Sequence, residues 1–216
     1  MPKQNAGGWQ SVVLMTSRRL WLAAGALIVF ALIAWQVQTD GPLVQLDLWL
    51  QQALKAWRTP VPVALASAFT LLGNTTGIAG LLVLGSLLLA GRRCWLPLAG
   101  LWTATIGAGL SALALKGLIY RSRPTGLDGV VIETSSFPSG NSILAAALFG
   151  AVILLVLPQY LAGRPLRIAT CLVALLPLLV AASRLVLSVH YLSDTIAGLC
   201  MGIAWALVGS LVAIRR

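Results

Sequence analysis

Three short stretches of this chain concentrate the residues able to bind an anion or attack one. "KGLIYRSRP" runs from Lys116 to Pro124, "SSFPSGNS" from Ser135 to Ser142 and "SRLVLSVHYLSD" from Ser183 to Asp194. In the first, Lys116 and Arg123 are seven residues apart, about two helical turns, so a helix would present both on one face. Pro124 would end that helix, because the residue before a proline resists helical dihedrals. Taken alone, the two cations read as an interfacial pair snorkelling to headgroups. In the second stretch, Ser139 follows a proline and precedes an apolar run, the position of a natural N-cap. The unpaired N–H groups of the first helical turn, with Gly140 leaving room for close approach, make a phosphate cradle. Taken alone, they also describe an ordinary capped helix. In the third, Arg184 lies almost two turns before His190, and Asp194 follows four residues after it. A carboxylate beside an imidazole fixes its tautomer and stabilises its cation.

Together, Lys116, Arg123, Arg184 and a helix N-terminus surround one nucleophile and its orienting acid. Such a set suits a phosphoryl group: arginine forks match phosphate oxygens, and fixed cations stabilise charge on the group in transfer. His190 would attack phosphorus and form a phosphohistidine that water hydrolyses. His190 is the only histidine, and the three cysteines, Cys94, Cys171 and Cys200, are scattered. A protein-built zinc site needs several such ligands close together, so neither a metal nor a cofactor is expected.

The elements that must position these residues are membrane helices. The chain has 216 residues, 59% hydrophobic and only 9% charged, with a mean hydropathy of +0.93. A soluble domain carries about 25% charged residues. About 20 apolar residues cross a bilayer, and six runs qualify: 20–37, 61–90, 94–115, 139–157, 168–189 and 195–214. The fold expected is an all-α, six-span bundle forming one membrane domain over 1–216. It comprises a cytoplasmic tail over 1–19, polar and loose over 1–17, an outer loop over 39–60 and an outer active-site loop over 116–138. In the loop 39–60, Leu43, Leu46, Leu50, Ala53, Leu54 and Trp57 recur at helical spacing, with Gln45, Asp47, Gln51, Gln52, Lys55 and Arg58 between them. This reads as a short amphipathic helix lying in the interface, with Trp49 and Trp57 at headgroup level. "GNTTG" at 73–77 reads as a kink, and Gly198 with Gly202 as a GxxxG packing face.

The formal charge of +10 does not point to nucleic acid. Lys3, Arg18, Arg19, Arg92, Arg93, Arg164, Arg167, Arg215 and Arg216 all fall on one side of the six runs, which the positive-inside rule makes cytoplasmic, termini included. The five acidic residues, Asp40, Asp47, Asp128, Glu133 and Asp194, fall on the other side with the three clusters.

The pattern resembles the type 2 phosphatidic acid phosphatase superfamily, whose motifs are K-x6-R-P, P-S-G-H and S-R-x5-H-x3-D. Here they read Lys116…Arg123-Pro124, Pro138-Ser139-Gly140-Asn141 and Ser183-Arg184…His190…Asp194. The resemblance implies a metal-independent lipid phosphatase of the bacterial inner membrane, acting at its outer face on a lipid phosphate or diphosphate. It assigns phosphate binding to Lys116, Arg123, Ser139, Gly140 and Arg184, nucleophilic attack to His190 and its orientation to Asp194. Arg121 lies outside the pattern and is expected to face solvent.

One position departs from the family. The general acid, normally histidine, is Asn141, and an amide donates a hydrogen bond but no proton. Losing a general acid costs roughly 10²–10⁴-fold when the leaving group needs a proton. An alkoxide leaving from phosphatidic acid needs one, whereas a lipid phosphate with a pKa of about 6 needs it far less. The first expectation is therefore an isoprenyl or undecaprenyl diphosphate phosphatase. Four alternatives stand beside it: transfer to another lipid, a phosphatidic acid or phosphatidylglycerophosphate phosphatase, a catalytically weak binder, and an introduced substitution at Asn141.

Overall fold

The computed structural model describes residues 6–124 and 133–214, with side chains from Val13 onward. Lys3, Asp128, Arg215 and Arg216 lie outside the described residues. Among the described residues there is helix and no strand. Helix α1 spans Ala6–Gln38, α2 Pro42–Ala53, α3 Pro60–Leu71, α4 Thr75–Gly91 and α5 Trp95–Leu118. Then come α6 Gly140–Ala151, α7 Gly163–Val186 and α8 Leu192–Val212. Among the described residues, five helical stretches are long and apolar enough to cross a membrane, and six if the bent pair α3–α4 counts as one span.

The run 61–90 is thus two helices meeting at 47°. The break follows from its sequence: Gly73 ends one helix, and the Asn74 side chain accepts from Gly77 N at 2.7 Å to begin the next. Two expectations need correction. The segment expected to be loose, 1–17, is helical from Ala6, because no proline interrupts 6–38 and extending a formed helix is cheap. The loop placed over 116–138 begins only after Leu118, so Lys116 belongs to α5.

Helix α6 sits at the centre, packed against α8, α5 and α7. Ala145, Ala146, Ala147, Leu148 and Phe149 are all buried, as befits a helix surrounded by others. Without a hydrophobic drive between helices in lipid, close packing needs small residues at the contact. Gly198 and Gly202 of α8 supply them. A β-carbon on Gly198 would come within 2.7 Å of the Ser139 carbonyl, and one on Gly202 would collide with the Ile143 carbonyl and lie 2.6 Å from Ala146 Cβ. The GxxxG face therefore packs within the bundle. It also presses the first turn of α6 onto the first turn of α8, where Ser139 N donates to Asp194 O at 3.0 Å.

Gly202→Ala is accordingly expected to lower stability by about 1–3 kcal/mol, read as an earlier thermal unfolding transition in detergent. Gly25→Ala is the control, since nothing lies within 4 Å of its added methyl. An unshifted transition in Gly202→Ala would refute the close approach.

Candidate active site

The nucleophile candidate is placed by a helix ending. Helix α7 closes with Ser188 N bonded to Leu185 O at 3.0 Å and Val189 N to Arg184 O at 3.2 Å. These are the two bonds of a Schellman turn, and Ser188 occupies its left-handed position at φ 54°. A serine there costs about 1 kcal/mol. The reversal carries His190 into the protein, where it is only 2% exposed. Gln51 of α2 braces the turn: its Nε2 donates to His190 O at 2.7 Å, and its Oε1 accepts from Ser188 Oγ at 3.2 Å and Arg58 Nη2 at 2.6 Å.

The ring of His190 has two different neighbours. Nδ1 faces Asp194 Oδ2 at 3.5 Å, with no closer partner among the described residues. This is longer than a full hydrogen bond, as such pairs often are before substrate binds. Nε2 lies 3.2 Å from Arg123 Nη1. A guanidinium has only N–H groups to offer, so Nε2 accepts and the ring proton resides on Nδ1. Burial pushes the His190 pKa down to about 4; Asp194 opposes the shift, and Arg123 and Arg184 add to it. The ring is therefore neutral at pH 7, the state that can attack.

Lys116 and Arg123 do meet, but not as the spacing suggested. Helix α5 ends at Leu118, and Ile119 is already extended at φ −121°, ψ 103°. The following residues pair with the returning chain instead of continuing the helix: Ser136 N donates to Arg121 O at 2.9 Å. Ser135 Oγ donates to Ile119 O at 2.7 Å and accepts from Arg121 N at 3.1 Å. This folds the chain so that Lys116 Nζ and Arg123 Nη2 share one acceptor, Ser135 O, at 3.1 and 3.3 Å. Arg123 is further fixed by Thr134 O at 3.0 Å and Val189 O at 3.0 Å.

Ser139 occupies the N-cap position of α6 without capping it; its hydroxyl instead accepts from Ser142 Oγ at 3.0 Å. The first turn keeps its N–H groups, and Gly140 lies beside Lys116, whose Cε would sit 3.9 Å from a β-carbon there. Arg184 is held from α3: its Nη1 donates to Thr70 Oγ1 at 3.1 Å, which pairs with Ser183 Oγ at 2.7 Å. Asn141 is half-buried next to the α3–α4 break, where a β-carbon on Gly73 would meet its carbonyl at 3.1 Å and its Cβ at 3.4 Å.

Arg121 corrects the expectation of a solvent-facing side chain. It is 10% exposed and bridges two buried carboxylates, Asp47 at 2.8 Å and Asp194 at 2.7 Å. Burial works against its charge, but Asp194 and Asp47 outweigh that and raise its pKa. The amphipathic helix was found where expected, as α2, but part of its polar face turns inward, while Gln45 and Gln52 stay exposed. Asp47 and Gln51 are its buried residues, while Leu46, Leu48 and Trp49 are exposed. The cause is the polar cluster it covers: hydrogen bonds to Arg121, Ser193 and His190 outweigh the solvation of that face. Asp47, Gln51, Thr70, Thr134 and Ser135 are the site residues that motif reading missed. Their signal was a polar side chain in or beside an apolar run, which only tertiary structure could assign.

An all-helical membrane bundle that gathers a buried neutral histidine, a carboxylate, three cations and a helix N-terminus at one end has the frame of an integral-membrane phosphatase. The model of the PAP2 superfamily matches residues 97–216, more than half of the chain. The chain belongs to this superfamily, and with it to the membrane lipid phosphatases. No match was found among curated proteins. Two crystal structures share the fold. A transmembrane PAP2-type phosphatidylglycerolphosphate phosphatase from Bacillus subtilis has 24% identity and a TM-score of 0.78, covering 88% of this chain and 94% of its own. LpxE from Aquifex aeolicus has 20% identity and a TM-score of 0.59, covering 76% and 94%.

Proposed function

We propose that the protein hydrolyses a lipid diphosphate of the isoprenyl or undecaprenyl type through a phosphohistidine, at the outer face of a bacterial inner membrane. The observation that carries the mechanism is the orientation of His190, with Nδ1 toward Asp194 and Nε2 toward Arg123. The terminal phosphoryl group takes the Arg123 guanidinium over from Nε2. It is also held by Lys116, Arg184, Ser139 Oγ and the Gly140 N–H. Nε2 attacks phosphorus in line, the bridging P–O bond breaks and the lipid monophosphate leaves with the electron pair. Water then attacks the phosphohistidine, the N–P bond breaks, and inorganic phosphate departs. Each step places negative charge among fixed cations, so no metal ion is required.

The substrate class rests on Asn141. At the acid position it can steady a leaving oxygen by hydrogen bonding but cannot protonate it. The outer-face assignment rests on Arg92, Arg93, Arg164 and Arg167, which lie at the opposite helix ends from His190, and on Arg18 and Arg19 of α1, the latter reaching Ser210 O near the far end of α8. A second reading, a phosphatidylglycerophosphate phosphatase, has its support in the Bacillus subtilis neighbour.

The test is phosphate release in detergent with EDTA, comparing farnesyl diphosphate, phosphatidic acid and phosphatidylglycerophosphate. The diphosphate is expected to lead in kcat/KM by about 10²-fold or more. Equal or faster monoester turnover would favour the second reading, and phosphate appearing on an added lipid alcohol would make the protein a phosphotransferase.

A further inference from the structure

The buried chain of charges behind His190 is longer than a histidine–aspartate pair. Asp194 Oδ2 faces the ring and also accepts from Tyr191 N at 2.9 Å, while Oδ1 accepts from Arg121 Nη1 at 2.7 Å. With one oxygen committed on each side, the carboxylate cannot rotate away from Nδ1. Arg121 is fixed in turn. Its Nη2 donates to Asp47 Oδ2 at 2.8 Å, its Nη1 to Ser193 Oγ at 2.7 Å, and its guanidinium stacks 4.1 Å above the Tyr191 ring. Asp47 is fully buried and accepts from Ser193 N at 2.9 Å and Ser193 Oγ at 2.5 Å.

We propose that Asp47 and Arg121 are positioning residues for the His190 reaction: the pair holds Asp194 in register with Nδ1 and keeps that carboxylate away from the phosphate-binding cations. The inference rests on the reading of His190 as nucleophile. The physical need is specific. Asp194 lies close enough to Lys116 and Arg123 to act on their charges, which the substrate must claim. A carboxylate free to turn would pair with one of them. Arg121 satisfies Asp194 first. Asp47 then fixes Arg121 and balances its charge, so the network beyond Asp194 adds no net charge to the site. The two arginines two residues apart thus divide the work, Arg121 serving carboxylates and Arg123 facing the reacting nitrogen. A lysine at 121 keeps the charge but not the fork that spans two carboxylates.

Because His190 is the only histidine, 15N-histidine labelling gives a spectrum of the reacting ring alone. The experiment records that spectrum, steady-state kinetics on farnesyl diphosphate and the thermal unfolding midpoint for wild type, Arg121→Gln, Arg121→Lys and Asp47→Asn. Wild type is expected to show the proton on Nδ1. Arg121→Gln is expected to show mixed tautomers and a kcat lowered about 10- to 100-fold, the usual effect of losing a group that orients a reacting side chain, with KM changed less than about twofold. Asp47→Asn, nearly isosteric and the safer variant for folding, shifts the spectrum in the same direction by less. It adds no further loss in the Arg121→Gln background, since both act through one carboxylate. Ring shifts like wild type in Arg121→Gln and Asp47→Asn, or a raised KM with intact kcat, would overturn the proposal. Wild-type protein that releases no phosphate from any lipid tested would sink the catalytic reading instead, while the spectra still decide whether the pair sets the ring.

Discussion

His190→Ala protein is expected to release phosphate from a lipid diphosphate on the order of 10⁴-fold more slowly than wild type, or not at all, by analogy with nucleophile removal in other covalent hydrolases. No second histidine exists to take over. Water attacking directly would still find the cations, but it would lose a neutral, desolvated nucleophile already aimed at the phosphate position. The fold should survive, because Gln51 grips the backbone carbonyl of residue 190 rather than the ring. A chemical trap makes the test sharper than rate alone. Acid-labile, base-stable label from terminally labelled substrate should appear on wild-type protein in rapid-quench experiments and be absent from His190→Ala. Retention of a tenth of the activity would rule out a covalent intermediate on this residue.

Asn141→His is expected to raise turnover of phosphatidic acid by about 10²–10⁴-fold, the usual contribution of a general acid, and to leave diphosphate turnover within a few fold. The change restores a proton donor at the first turn of α6. Diphosphate hydrolysis, whose leaving group departs as an anion, has little use for it. The added imidazole should also add a limb near pH 6.5 to the monoester pH profile. Space is tight on one side, since the Asn141 backbone lies against Gly73, so the thermal midpoint should be recorded beside the rates. Monoester turnover that stays at the wild-type level in folded protein would mean that Asn141 does not set the substrate class. Asn141→His combined with His190→Ala should be inactive on both substrates, which separates the acid from the nucleophile.

What could be read from the sequence, and what could not, follows the range of the forces involved. Six apolar runs announce the five or six candidate crossings because hydropathy is a local property. The break at 73–77 was visible because glycine and asparagine punctuate any helix. Lys116 and Arg123 were paired on the premise of a shared helix face. The structure brings them together through Ser135 O, because α5 stops at Leu118 and the chain doubles back. Arg121 was misassigned because its partner Asp47 lies 74 residues earlier on another element, a pairing that no local pattern encodes. The burial of Asp47 and Gln51 on α2 was hidden for a related reason. Amphipathicity divides a helix into two faces without saying which is inside, and at a membrane interface the apolar face has lipid to turn to.

The bonds from α2 and α3 divide the polypeptide by what each part can change. The superfamily match begins at residue 97, and every residue assigned to the proposed reaction belongs to the later part. The earlier part reaches them by threads: Asp47 to Ser193 and Arg121, Gln51 to the His190 carbonyl, and Thr70 to Arg184. The exposed positions of α1–α4 are free to follow the lipid they meet, in length, bulk or headgroup chemistry, so long as these anchor points and the buried packing of α1 on α8 and of α4 on α5 hold. A catalyst so arranged can acquire a new clientele by rewriting its front half while its chemistry stays as it was.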